Sequence, residues 1–324
     1  MSIVDAHHHL WDPARREYPW MTGPAAPLRR RYDVEDLRAV TAAAGVTATV
    51  AVQAAMDEAE TVELLAAARD SGGLVAGVVG WVDLTAKDVA DRIAGLRAQP
   101  GGERLAGIRH QVHDEPDPAW LDRPDVRRGL AAVAAAGLPY DLLLFPAHLP
   151  AAVRVAEALP RLTLVLDHGA KPPIAAGAWE PWSTDLAALA AHGQVHAKLS
   201  GLVTEAPWDR WRDAGIERYA ARVLELFGPA RLMVGSDWPV CTLAASYAEV
   251  LGLAQRALAG LAEAERAEVL AGTATRAYPS GRRMLYGAIV PPASLRPGAN
   301  AVSVLEVLPG NRLRTNGSTG AGGR

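Results

Sequence analysis

The chain of 324 residues, 50% hydrophobic and 21% charged, has globular composition and length enough for one large core or two modest ones. A net charge of −3 from 33 basic and 36 acidic residues lacks the basic surplus of a nucleic-acid binder, and 1 Cys excludes an internal disulfide framework. The opening MSIVDAHHHLWD has no basic or apolar leader segment, and no apolar run approaches the roughly 20 residues that cross a bilayer, so a soluble cytoplasmic protein without membrane or nucleic-acid partners is expected.

Along the chain, short β-type runs alternate with Ala/Leu/Arg-rich stretches of helical spacing. Strands are expected at residues 2–7, 47–53, 74–82, 105–112, 139–145, 162–168, 195–200 and 231–236. The helices between them are expected at 34–44, 58–71, 87–97, 124–136, 151–159, 183–191 and 217–227, with a last helix at 263–271. Asp33 and Asp57 stand where N-caps belong, and Gly45, Gly137 and Gly228 follow helix ends. TATVAVQ, LVAGVVG and LTLVL are nearly unbroken apolar runs, as strands covered on both faces should be.

Eight β-then-α units in succession predict an α/β fold, a (β/α)8 TIM barrel over residues 1–278. A doubly wound open sheet would call for a glycine-rich phosphate turn after the first strand, where His-His-His stands instead. Beyond Tyr278, Pro, Gly and small polar residues dominate, which predicts a C-terminal extension over 279–324, partly disordered. Its strand-like AVSVLEVL (301–308) offers an edge to a second copy, so a homo-oligomer is compatible with the sequence.

In such barrels the reacting groups project from the C-terminal ends of the strands. The histidines gather there: His7, His8 and His9 at the first strand, His110 and His113 at the fourth, His148 after the fifth and His168 at the sixth. His192 and His196 enter the seventh strand from the opposite end. Alternation puts His7 and His9 on one face and His8 on the other. Two converging imidazoles suit Zn2+ or a related ion, although a hydrogen-bonded structural pair has the same spacing. His8 is assigned to packing or to supporting the ligand residues from behind.

Asp237, in Gly235-Ser236-Asp237-Trp238-Pro239, closes the eighth strand and should face the first around the barrel. It would ligate a metal, act as general base, or do both in turn; a helix N-cap is the alternative. In Asp167-His168-Gly169-Ala170-Lys171-Pro172, His168 should point into the mouth, with Lys171 on the loop beyond it meeting substrate or solvent. Arg109 and His110 face opposite ways, so one of the two is expected to enter the site, and arginine suits anionic or polyhydroxylated ligands.

Together DAHHHLWD, YPW, VGWVDL, GIRH with the following WLDRPDV, DHGAKP, KLSGLVTEA with Trp208, and RLMVGSDWPV resemble the amidohydrolase superfamily. The closer resemblance is to its sugar-lactone hydrolase branch, the L-fuconolactonase and L-rhamnonolactonase type, in the right order over about residues 2–278. It implies a (β/α)8 barrel that hydrolyses the cyclic ester of an aldonic acid, with His7, His9, His168 and Asp237 at the family's active-site positions. Two departures limit the metal content. The fourth strand, LAGIRHQV, lacks the lysine that bridges two metals in binuclear members, and the fifth ends in LLLF without a histidine, leaving His148 as a substitute. One divalent metal at most is implied, Zn2+ on His7, His9 and Asp237, and some related lactonases dispense with it.

The expected chemistry has Asp237 take a proton from water and return it to the departing ring oxygen. His168, with Zn2+ if bound, polarises the carbonyl. Arg109 or His110, Lys171 and Trp238 would orient the hydroxylated chain, and Trp11 and Trp81 would wall the pocket. Two other readings are metal-dependent, non-oxidative decarboxylation of an aromatic acid and a non-catalytic barrel that binds a sugar acid.

Overall fold

The computed structural model describes residues 2–278. The expected extension over 279–324, with its strand-like 301–308, lies outside the described residues. Eight parallel strands follow one another around a single sheet in chain order: β1 Ile3–His8, β2 Val46–Val52, β3 Val75–Gly80, β4 Leu105–Gln111, β5 Tyr140–Leu143, β6 Leu164–Leu166, β7 Val195–Leu199 and β8 Leu232–Val234. The ends of the sheet meet beyond β8, where the Asp237 N–H donates to the His7 carbonyl at 2.8 Å and the His9 N–H donates to the Trp238 carbonyl at 2.7 Å. This is the expected (β/α)8 barrel.

The intervening helices are α1 Val34–Ala44, α2 Glu58–Asp70, α3 Val89–Arg97, α4 Pro124–Ala135, α5 Leu149–Ala158, α6 Trp182–Ala190, α7 Ile216–Phe227 and α8 Tyr247–Ala257. Asp33 caps α1 by accepting from the Glu35 and Asp36 N–H groups, and Gly45 ends that helix in the left-handed region at φ 69°. The eighth barrel helix, α8, is absent from the expected elements. Its start is nevertheless written in Ser246-x-x-Glu249, whose two side chains cap each other's backbone N–H groups.

Side chains divide cleanly between two apolar layers. Ile3, Val75, Leu105 and Leu142 pack outward with Leu37, Leu65, Ile93, Leu130 and Val155 of the helices; burying each such side chain contributes about 1.5–3 kcal/mol. Val4, Ala6, Ala48, Val50, Ala76, Ala106, Val165 and Met233 fill the lower barrel interior. Their cluster also includes Ala271, Ala274, Ala277 and Tyr278. The helix expected at 263–271 is broken into α9 Glu263–Ala267, a π-turn at Glu268–Gly272 and α10 Thr273–Ala277. Thr273 Oγ1 donates to the Pro229 carbonyl at 3.0 Å, just before β8, so this broken helix closes the N-terminal end of the barrel. The opposite end is left for the site. No helix among the described residues is long and apolar enough to cross a membrane.

Candidate active site

The site begins with an irregularity in β1. Its pairing with β2 shifts between Asp5 and His8, and such shifts re-aim side chains. Below the shift Val4 and Ala6 join the barrel-interior cluster; above it His7 and His9 face one another with Nε2 atoms 3.2 Å apart. Asp5 points the other way and accepts from the Ser236 N–H at 2.8 Å, the Ser236 hydroxyl at 2.6 Å and the Tyr247 hydroxyl at 3.0 Å. Burial raises its pKa. His8 also faces outward, its Nε2 2.9 Å from Thr49 Oγ1.

Asp237 completes the cluster. Its Oδ1 lies 3.3 Å from His9 Nε2, 3.7 Å from His7 Nε2 and 3.8 Å from His168 Nε2. The far side of each ring decides which nitrogen carries the proton. His9 Nδ1 is 2.8 Å from the Val52 carbonyl, which can only accept, so the proton is on Nδ1 and Nε2 presents a lone pair. His7 Nδ1 is 3.1 Å from Asp167 Oδ1, with the same consequence. Arg109 Nη1, which can only donate, stands 3.4 Å from His7 Nε2 and agrees with it. His168 Nδ1 is 2.8 Å from Ser200 Oγ, and a hydroxyl can donate or accept, so this ring can present either a lone pair or an N–H to the mouth.

Two imidazole lone pairs and a carboxylate oxygen therefore converge, an arrangement that demands a proton or a cation between them. Burial pushes the His168 pKa down to about 4 and that of His7 well below its ordinary value, so both rings are neutral at physiological pH. Burial opposes ionisation of Asp237, and the carboxyl is held below the usual range by His168, His9 and His7 where one of them turns a proton toward it, a part that a bound cation would take over. The ligand atoms of His7, His168 and Asp237 lie within 4.8 Å of one another, with His9 alongside. Nitrogen and carboxylate donors at this spacing fit one Zn2+-like ion, whose bonds are about 2 Å long.

Backbone strain is concentrated on the same residues. His168, Gly169, Ala170 and Lys171 form a left-handed run with φ of 55°, 56°, 62° and 48°, and Asp237 has φ 57°. Non-glycine residues in this region cost of order 1–3 kcal/mol each and persist where their surroundings hold them. Here Trp182 Nε1 donates to the Gly169 carbonyl at 2.8 Å. The turn also ends β6 at Leu166, two residues short of the expected strand. Two glycines admit the rings: a Cβ on Gly201 would lie 2.4 Å from His168 Nδ1, and one on Gly235 would lie 2.6 Å from His7 Cβ.

Several expected substrate contacts are spent elsewhere. Arg109 turns inward but is 1% exposed; it donates to Asp167 Oδ2 at 2.9 Å and to the Gln53 carbonyl, with Nη1 3.4 Å from His7 Nε2 at the floor of the site. His110 faces outward, its Nε2 2.7 Å from Glu115, stacked at 4.2 Å on Trp120. Trp81 donates to His110 Nδ1 at 3.1 Å and belongs to that stack. Trp238 is buried with its ring edge-on to Tyr32, and its carbonyl positions His9. Trp11 stacks behind His9 at 6.0 Å, its indole N–H donating to the Leu28 and Arg30 carbonyls. Lys171 reaches Glu205 at 2.5 Å. His148 takes the Phe145 N–H and serves its own turn.

Two cavities lie near these side chains. Gln111, two positions past Arg109, lines a cavity of about 480 Å3 together with Trp20, Ala54, Met56 and Asp114. None of the four cluster residues lines it; Trp20 packs against Trp11 at 5.3 Å, and Trp11 against His9 at 6.0 Å. Strand alternation from Arg109 could have found Gln111. Another cavity, of about 290 Å3, lies behind Trp11 against α1 and α2, and none of the four cluster residues lines it. Asp141, Asp167 and Lys198, all fully buried below His7, carried only one cue, a charge inside an otherwise apolar strand or at its end.

Comparison with known proteins identifies the family. A model of the amidohydrolase family matches residues 4–280. An L-fucono-1,5-lactonase of Burkholderia multivorans is 42% identical over 286 residues, covering 85% of this chain and 95% of the relative. Another, of Burkholderia ambifaria, is 39% identical, covering 76% and 83%. The crystal structure of a Burkholderia multivorans amidohydrolase with bound zinc superposes with a TM-score of 0.80 at 40% identity, covering 86% of this chain and 99% of that one. The strand-end histidines and the Asp237 carboxylate thus sit in a chain that belongs to the amidohydrolase family.

Proposed function

We propose that this protein hydrolyses a sugar lactone, opening the cyclic ester of an aldonic acid. The convergence of His7, His9, His168 and Asp237 at the open end of the barrel carries this reading. Similarity to two L-fucono-1,5-lactonases supports the substrate class. Asp237, held ionised, accepts a proton from water as the water oxygen attacks the lactone carbonyl. His168 meets the oxyanion with its Nε2–H while the Ser200 hydroxyl donates to Nδ1. As the ring C–O bond breaks, Asp237 returns the proton to the departing oxygen, and the product is a hydroxy acid.

His7, His9 and Asp237, with His168 in reach, would hold one divalent cation, Zn2+ by ligand type, which supplies Lewis acidity toward the carbonyl and water when bound. The side chains complete both proton transfers by themselves, so chelation is expected to lower turnover rather than abolish it.

Charge pairing favours a neutral substrate. Arg16 is bound to Asp57 at 2.6 Å and Glu63 at 3.3 Å, Lys171 to Glu205 at 2.5 Å, and Arg109 to Asp167 at 2.9 Å. A polyhydroxylated chain can lie on the Trp20 indole and bond to Gln111 and Asp114 without a free cation, whereas an aromatic acid would bring a carboxylate needing one.

The test is a pH-indicator screen of neutral aldono-lactones on protein of measured metal content, with and without chelator, beside CO2 release from aromatic acids. Asp237→Asn should lower kcat on the best lactone by about 10²–10⁴. A folded variant with near-normal turnover removes Asp237 from the chemistry, and CO2 release with inert lactones selects decarboxylation.

A further inference from the structure

Beneath the cluster the barrel interior holds a file of charged groups. Lys198 Nζ, on β7, is fully buried and donates to Asp141 Oδ2 at 2.6 Å and to Asp167 Oδ1 at 3.0 Å. The Tyr278 hydroxyl, at the end of α10, donates to the same Asp141 oxygen at 2.8 Å. Asp167 is bound through its other oxygen to Arg109 at 2.9 Å. Lys198 Nζ also lies 3.2 Å from His7 Nδ1, the atom that Asp167 Oδ1 approaches at 3.1 Å.

An ammonium has no lone pair, so Lys198 could donate to His7 Nδ1 only if that nitrogen were bare, and the ring proton would then sit on Nε2, facing the mouth. The two carboxylates decide otherwise. Asp141 and Asp167 accept from Lys198 at shorter distances, and Asp167 is left positioned to take the Nδ1 proton of His7.

We propose that Lys198, anchored by Asp141 and through it by Tyr278, is a positioning residue for His7. It fixes the Asp167 carboxylate so that His7 keeps its proton on Nδ1 and presents a bare Nε2 to the mouth. The closing helix at the floor of the barrel is thereby linked to the first imidazole of the site. The consequence for activity rests on the lactonase reading; the state of the His7 ring does not.

Lys198→Met alone would leave Asp141 buried without its cation, which endangers folding. The double variant Asp141→Asn/Lys198→Met removes one charge of each sign and keeps the Asp167–Arg109 pair. In metal-free protein with 15N-labelled histidine, two-bond proton–nitrogen NMR reads the tautomer of His7 directly. Wild type and double variant should both show Nδ1–H, and in the variant, where Arg109 alone holds Asp167, the His7 Nδ1 proton should move upfield as its bond to Asp167 weakens. Zinc affinity, read by competition with a chromophoric chelator, should fall about 10–100-fold, the usual effect of losing a group that orients a ligand. On the lactone substrate kcat should fall with KM within about twofold. A folded double variant whose His7 Nδ1 proton resonates as in wild type, with unchanged zinc affinity, overturns the proposal, whatever the enzyme hydrolyses.

Discussion

Gly201 shows how narrowly the site is built at the level of single residues. His168 has φ 55°, and its ring lies where any side chain at 201 would stand, since a Cβ there would come within 2.4 Å of Nδ1. Gly201 itself has φ +64°, so alanine meets both a clash and strain. Gly201→Ala should lower stability by about 1–3 kcal/mol, read by urea denaturation, and lower kcat more than it raises KM. Wild-type kinetics would show that His168 need not sit where it does. At this scale the sequence is informative about direction and silent about depth. Alternation set Arg109 and His110 on opposite faces without saying which enters, and the structure turns Arg109 inward, where Asp167 and Gln53, 58 and 56 positions away, hold it at the floor of the site.

Among the elements, α2 bears on the mouth through Glu60. Its carboxylate accepts from the Ala54 and Ala55 N–H groups at 2.9 and 2.8 Å and from the Tyr18 hydroxyl at 3.1 Å, which ties the loop after β2 to the loop carrying Trp20. Burial raises its pKa from 4.5 to about 7. The folded protein therefore keeps a proton that the unfolded chain releases. The stability this contributes is full below pH 4.5 and lost as pH rises to about 7. Glutamine cannot titrate, so Glu60→Gln should gain stability relative to wild type over that interval, by on the order of 3 kcal/mol. Denaturation curves at pH 5 and pH 8 measure the difference; an equal offset at both would refute the titration. The capping signals of α1 and α2 were legible because they are local, and so was the Ser246-x-x-Glu249 start of α8, though a short apolar pattern let that helix pass unmarked.

At the level of the whole molecule, His7 and Asp237 stand 230 positions apart in the chain, and the closing of β8 on β1 brings them to 3.7 Å. A cation held there binds the folded state and not the unfolded chain. Zinc at a hundred times its Kd should add about 2.7 kcal/mol of stability. Differential scanning should show Tm rising by several degrees with zinc and falling again with chelator. Asp237→Asn should lose most of that rise, and an equal rise in the variant would place the ion elsewhere. The Asp141–Lys198–Asp167–Arg109 file belongs to the same scale, since its four members come from four different strands or strand ends. No local pattern could join them.

The order of strands and helices, the alternation that pairs His7 with His9, and the family likeness were written in the amino-acid order, because periodicity and strand-end chemistry are short-range properties. Which polar groups reach substrate and which are consumed in holding others was settled only by closure of the barrel. A side chain's partners there come from other strands, and burial depth depends on every neighbour at once. Arg109 and Trp238, expected in the pocket, became supports, while Lys198, Asp167 and Trp20 acquired their places from contacts that no stretch of sequence contains.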